Sequence, residues 1–542
     1  MLISNNPQTS VFKLMKQESR SNKIPFAKPN RDPEENSCLK FNPNDIKITA
    51  AQYIFYKIVK EIAENKTDLK GLLAWYSTGA GKTAVAAGVV DAFWNTDYKI
   101  YYISRSDALK PHEDFELLLR NMYKNPKTMF ELKRKFKIMS IVSFYNRVIK
   151  KEINLDKAVI VIDEAQYLFA KRAIPQFRVK HERLIKMLQK SENYRTKVFI
   201  LTATPGDSIE EMIELLNIIR KKTEPILTLN NYQKYMTSKV LYLDMTKDLS
   251  LFPKKRFKEH VVELSEEQKT RYSEKLKELK AKLATNNKKA LQTLQKWSNG
   301  LFKNIRQPPK VKRILEKIDS YPNRKHYVYS QYSRQGIKDV EAGLIAKGYQ
   351  RATNNNISKP GKRYLLAKAS ERFITSESAN PIFKMYNSKQ NDKGDYISIF
   401  LATDSYNTGI DLKGVRHLHF MEPPLSYVDV IQGVGRGVRM CSHKNFDKKD
   451  WIVKVHTYIG IIKKESENNS FMNSIDKFVL NKANKDRDEF ENKTNIFKNA
   501  SIDCKALYHF HNQGNDSGLS CTEGNPYHSP FAKTRLKINL FH

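Results

Sequence analysis

The chain has 542 residues, 40% of them hydrophobic and 11% aromatic, enough apolar side chain for about three domains. Its 95 Lys and Arg stand against 58 Asp and Glu, a formal charge of +37, which favours polyanionic partners held by phosphate contacts and counterion release. No apolar run is long enough to span a membrane and the N-terminus lacks a signal-peptide core, so a soluble intracellular protein without a membrane role is expected.

Residues 1–40 are polar, basic and without periodicity, and are expected to form a mobile arm. From 41 to 235, short apolar runs at 71–75, 99–103, 158–162 and 198–202 alternate with amphipathic segments. Such alternation predicts an α/β domain with a buried parallel sheet. Residues 236–310 are lysine-rich and helical in pattern, stopping at Pro308-Pro309, and are expected to form a helical bridge. Strand-like runs return at 326–330, 397–402, 417–420 and 451–455, so 311–465 reads as a second parallel-sheet α/β domain, one fold used twice. Residues 466–542 read as a polar C-terminal tail. Cys38, Cys441, Cys504 and Cys521 are scattered and form no CxxC pair, so no disulfide framework is expected and a reducing compartment fits. Cys504, His509, His511, Cys521 and His528 match no usual zinc spacing.

Residues 76–83 read YSTGAGKT, between a strand-like run and a helix-like one. This is the context in which Gly79 and Gly81 let backbone N–H groups close on a phosphate at a helix N-terminus. Thr78, Gly79, Ala80, Gly81, Lys82 and Thr83 are the expected ATP-binding residues, with Lys82 on the β/γ-phosphates and Thr83 on Mg²⁺. Tyr76 stands where the usual first glycine would be. Eighty residues on, a buried-strand pattern ends in Asp163-Glu164-Ala165-Gln166. Asp163 is expected to reach Mg²⁺ and Glu164 to polarise the attacking water.

The order GAGKT, DEAQ, TATP and QGVGRGVR resembles the superfamily-two helicases and translocases. That resemblance implies two RecA-like domains and a nucleic-acid-dependent ATPase, with ATP as substrate and Mg²⁺ as cofactor. It makes Thr202 and Thr204 the link between nucleotide and nucleic acid. It places Gly409 and Asp411 in a fifth motif with ATP, and Gln432, Arg436 and Arg439 in a sixth, the arginines facing the γ-phosphate. Spaced i, i+3, the two arginines would share a helix face. DEAQ rather than DEAD argues against the DEAD-box RNA helicases. Residues 251–253, 261–268 and Tyr272 are similar to the Swi/Snf-type linker. Residues 326–349, 402–424, 430–443 and 499–504 resemble the helicase-like transcription factors of cytoplasmic large DNA viruses and linear plasmids.

On that likeness the chain would work on DNA, with RNA possible, beside a dedicated RNA polymerase in a host cytoplasm or packaged in a virion. A replication or repair helicase would carry the same motor. A non-catalytic scaffold is disfavoured by the intact Lys82, Asp163, Glu164, Arg436 and Arg439. By position, Gln52 is a candidate adenine reader, and Ser104, Arg105 and Ser143 are candidate nucleic-acid grips.

Overall fold

The computed structural model describes residues 13–14, 38, 49–105, 111–169, 175–191, 195–206, 208–246, 249–285, 287–300, 307–367, 380–403, 410–463 and 472–504. Contacts divide the chain into two compact units: one of 40–250 with 1–33 and 490–542, the other of 251–489 with 34–39.

The first unit is built on six strands: β1 (Gly71–Tyr76), β2 (Lys99–Ser104), β3 (Phe136–Ser140), β4 (Ala158–Asp163), β5 (Lys197–Thr202) and β6 (Val240–Leu243). Their order is β3-β2-β4-β5-β1-β6, and every pairing is parallel. β1 and β4 are buried along their whole length, which explains their unbroken apolar sequences. Leu73, Ile103, Ile160 and Ile162 pack beneath Leu184, Leu188, Met212 and Leu216 of the covering helices.

The second unit holds β7 (Lys254–Glu263), β8 (Lys325–Ser330), β9 (Gln350–Arg351), β10 (Arg363–Ala367), β11 (Ile399–Thr403), β12 (Val415–Phe420) and β13 (Ile452–Ile461). The order is β7-β13-β12-β8-β11-β10-β9, again wholly parallel. β7 pairs with β13 over ten residues and leaves a mostly exposed, charged edge. Charges on such an edge discourage further strand pairing. In both sheets the loops with the motif residues follow strand carboxyl ends, where open parallel sheets bind ligands.

Several segments differ from the sequence expectation. Within 236–310, β6 joins the first sheet and β7 the second, while the helices Glu266–Ala284 and Lys288–Asn299 pack into the second unit through Tyr272, Leu276, Leu283 and Leu294. Within 466–542, the helix Ile475–Asn499 carries Ile475 and Val479 in that same cluster. Phe497 and Ala500 belong to the core of the first unit, and the Ile502 amide donates to the Val240 carbonyl at 2.8 Å. Asp503 accepts from the Tyr242 amide at 3.0 Å, and burial pushes its carboxyl up to about 7.

The cysteine expectation is corrected. Cys38 and Cys441 form a disulfide with a Cα–Cα distance of 5.4 Å, and no described cysteine is free. A pair 403 residues apart leaves no trace in local spacing, so that spacing gives no argument for a reducing compartment. His509, His511, Cys521 and His528, and most of the 1–40 arm, lie outside the described residues. No helix among the described residues is long and apolar enough to cross a membrane.

Candidate nucleotide site and its relay

Tyr76 ends β1 fully buried, and its hydroxyl donates to the Ala51 carbonyl at 3.0 Å. The position that usually holds the first glycine therefore faces the core. The two glycines that remain are the ones with left-handed backbone, Gly79 at φ 80° and Gly81 at φ 79°. The turn aims the chain into the helix Lys82–Ala92, whose first-turn amides are the donors available to an anion.

Gln52 reaches this loop from the helix Ala50–Ala63. Its Oε1 accepts from the Thr49 amide at 3.0 Å, completing a reciprocal cap with the Thr49 hydroxyl. Its Nε2 donates to the carbonyls of Ala80 and Gly81 at 3.3 and 3.4 Å. A Cβ at Gly81 would lie 2.4 Å from that same nitrogen. Gly81→Ala should therefore weaken nucleotide binding by about tenfold, since left-handed strain of about 1–2 kcal/mol adds to the clash. Titration with a fluorescent nucleotide checks this; an unchanged Kd would show that the loop does not need this shape.

Lys82 Nζ donates to the Tyr76 carbonyl at 3.5 Å and lies 3.9 Å from Glu164 Oε1. Asp163 closes β4 almost fully buried. It accepts hydrogen bonds from the Tyr102 hydroxyl and, at 3.0 Å, from the Glu164 amide. Burial and the Asp163 charge push the Tyr102 phenol well above its usual range, so it stays a donor. Glu164 itself has φ 52°, rare for a residue with a side chain.

From Glu164 a continuous relay crosses to the next strand. Gln166 Nε2 donates to Glu164 Oε2 at 2.8 Å, and Thr202 Oγ1 donates to Gln166 Oε1 at 2.7 Å. The Thr204 amide donates to Thr202 Oγ1 at 3.0 Å. Gln166, Thr202 and Thr204 are all buried, so each link sits in a low dielectric where a broken bond is costly. Gln166 was not singled out as a site residue from sequence, although it is the one side chain here that touches both motifs. Thr202→Val removes the middle link. It should lower any stimulation of hydrolysis by nucleic acid about 5–150-fold while leaving nucleotide Kd unchanged. Parallel measurement of basal and stimulated rates checks the split; equal losses in both would remove the coupling role.

Ser104 ends β2 fully buried, its hydroxyl without a hydrogen-bond partner among the described residues. The Arg105 guanidinium stands 4.9 Å from the centre of the Tyr167 ring. Ser143 lies in the first turn of the helix Ile141–Ile149, its amide capped by Ser140 Oγ at 3.2 Å. Ser104 and Ser140 are register partners on β2 and β3, so these three candidates occupy the same sheet edge.

In the second unit the helix Tyr427–Gly437 carries Gln432 and Arg436, both buried. The expectation that Arg436 and Arg439 share a helix face is corrected. The helix stops at Gly437, and Val438 has φ −103° and ψ 86°. Arg439 therefore lies beyond the helix. The two guanidiniums converge all the same, each donating to the Ile410 carbonyl at 3.3 Å. Arg439 Nε is also 2.9 Å from Asp411 Oδ1, so Asp411 is the arginine's counter-ion here. Gly409 lies outside the described residues.

Residues 45–207 match the family described as "Type III restriction enzyme, res subunit", and residues 310–441 match "Helicase conserved C-terminal domain". The chain belongs to the superfamily-two helicases. A killer plasmid pGKL-2 helicase of Kluyveromyces lactis is 26% identical to it over 392 residues, covering 71% of this chain and 60% of that protein. An Acanthamoeba polyphaga mimivirus protein named as an ATP-dependent RNA helicase is 24% identical over 488 residues, covering 75% and 82%. The early transcription factor 70 kDa subunit of vaccinia virus is 25% identical over 143 residues, covering 26% and 22%. The helicase thus spans somewhat less than two thirds of the plasmid protein's length, and most of the mimivirus one.

Proposed function

We propose that this helicase hydrolyses ATP to move on DNA and serves transcription in a host cytoplasm, beside a dedicated RNA polymerase. The observation that carries the reading is the relay Glu164–Gln166–Thr202–Thr204, which ties the residue beside Lys82 to the strand end expected to sense nucleic acid. The charge of +37 suits a phosphate backbone, and the likeness to a viral early transcription factor and a plasmid helicase supports the setting.

In this reading Thr78–Thr83 cradle the phosphates, Lys82 neutralises them, and Gln52 sits beside the loop. Glu164 takes a proton from the attacking water. Thr83 and Asp163 would hold Mg²⁺. Asp163 fits, being a buried carboxylate fixed by two donors at a strand end, and Thr83 follows Lys82 at the helix start. Bound there, Mg²⁺ would offset charge on the β- and γ-phosphate oxygens. Arg436 and Arg439 supply charge toward the γ-phosphate and Gln432 a neutral hydrogen-bonding group, with Asp411 paired to Arg439 and Gly409 assigned to ATP by its place in the fifth motif. Ser104, Arg105 and Ser143 grip the nucleic-acid backbone.

A second reading, work on RNA, is favoured by the name of the mimivirus relative. ATP hydrolysis measured with no nucleic acid, single-stranded DNA, duplex DNA and RNA separates the two. Stimulation by DNA supports the first and stimulation by RNA alone the second. Absence of hydrolysis with every polymer would overturn both. Association with a replisome rather than an RNA polymerase would move the role to replication or repair.

A further inference from the structure

Five histidines from four adjacent strands stand together on the second sheet: His260 on β7, His456 on β13, His417 and His419 on β12, and His326 on β8. All are buried. Register pairs His417 with His326 and His419 with His456. Neighbouring rings lie 4.8–5.3 Å apart, centre to centre. A sheet interior built for packing alone would place apolar side chains here, because each buried imidazole costs desolvation unless both nitrogens are used.

The hydrogen bonds fix how these nitrogens are used. His326 Nε2 donates to the Tyr321 carbonyl at 3.1 Å, which leaves His326 Nδ1 as an acceptor facing His419 Nε2 at 3.0 Å. His419 Nδ1 meets the Tyr458 hydroxyl at 2.8 Å. His417 Nδ1 meets His456 Nε2 at 3.0 Å, and His456 Nδ1 meets His260 Nε2 at 2.8 Å. His417 Nε2 is buried and has no hydrogen-bond partner among the described residues. A ring nitrogen from each of His326, His417 and His419 lies within 4.8 Å of those of the other two.

We propose that His326, His417 and His419 bind one divalent transition metal of the zinc class through His326 Nδ1, His417 Nε2 and His419 Nε2, with a solvent molecule as fourth ligand. Metal–nitrogen bonds of about 2.0–2.1 Å need the rings to draw in by about an ångström. The proton on His419 Nε2 moves to its Nδ1, so no net charge is created on the ring. Each ligand then donates its other N–H to a partner already in place: His326 to the Tyr321 carbonyl, His417 to His456, His419 to the Tyr458 oxygen. Support of this kind is what orients metal-binding histidines. His326 is the second residue of β8 and His417 the third of β12, toward the strand starts, while His419, the fifth of β12, pairs with Val328 inside β8 rather than with Ser330 at its end. The metal would therefore stabilise the second unit rather than enter the motor's chemistry.

The test uses the full chain, stripped with a chelator and titrated with Co²⁺, then with Zn²⁺. One equivalent of Co²⁺ should give visible d–d absorption in the wild type and in His260→Asn, and none in His417→Asn. Saturating Zn²⁺ should raise the unfolding temperature of the wild type by about 5–10 °C and leave His417→Asn unmoved. X-ray absorption of the Co²⁺-loaded wild type reads the ligands without any variant and should show three imidazoles. Absence of d–d absorption in the wild type, equal absorption in His417→Asn, or sulfur in the ligand shell would each overturn the assignment.

Discussion

Glu164→Gln should lower kcat for ATP hydrolysis by about 10²–10⁴-fold, the usual worth of a positioned general base. The side chain keeps its shape in this variant and loses its capacity to take a proton. Nucleotide affinity should hold within about threefold, because Gly79–Thr83 is untouched and Glu164 lies 3.9 Å from Lys82 rather than in the phosphate loop itself. Lys82→Ala should differ in kind, raising nucleotide Kd as well as lowering kcat, because it removes a side-chain cation from the head of the helix. Steady-state hydrolysis and direct nucleotide titration on both variants separate the roles. If Glu164→Gln hydrolysed at more than a tenth of the wild-type rate, the base would be another residue.

The second large effect concerns stability. Lys310 and Asp476 form an ion pair at 2.5 Å with both side chains fully buried. Asp476 Oδ2 also accepts from Ser298 Oγ at 2.6 Å and the Gly460 amide at 2.8 Å. Lys310 donates to Asn299 Oδ1 at 2.9 Å, and Asn299 donates to Glu422 Oε2 at 2.8 Å. Glu422 is itself buried, its carboxyl pushed up to about 7 by desolvation while Ser330 and the Gln331 amide donate to it. Removing one partner leaves a buried charge without its counter-ion, so Lys310→Met or Asp476→Leu should each cost about 3–5 kcal/mol. The double variant should recover much of that loss, because an apolar pair of similar volume carries no desolvation penalty. Denaturant unfolding of the three variants checks the cycle. Additive losses in the double variant would show that the pair is not coupled.

The site was legible where chemistry demands fixed letters at a strand end. GAGKT, DEAQ and TATP each follow an apolar run that does form a strand, so their places on β1, β4 and β5 could be read directly. Thr202 and Thr204 were legible as motif letters, but the bond from Thr202 to Gln166 depends on β4 and β5 lying side by side, which spacing does not encode. β7 escaped notice because KKRFKEHVVE is an edge strand, buried chiefly at His260, and shows no apolar run. Arg439 was misplaced because a helical period was extended past Gly437, where the backbone leaves the helix. The histidine cluster gives only the i, i+2 pair His417 and His419 in sequence. The rest is assembled by strand order.

Gln52 has a consequence of its own. One carboxamide closes the N-terminal cap of the helix Ala50–Ala63 and grips the carbonyls of Ala80 and Gly81. It cannot be drawn toward a nucleotide base without giving up part of that work. An N-terminal cap contributes about 1 kcal/mol, so a base that recruited Gln52 would leave the first turn of that helix prone to fraying. Occupancy of the loop would then be written into the hydrogen-exchange rate of the Thr49 amide, which Gln52 Oε1 holds, a local thermometer of nucleotide state built from a single side chain.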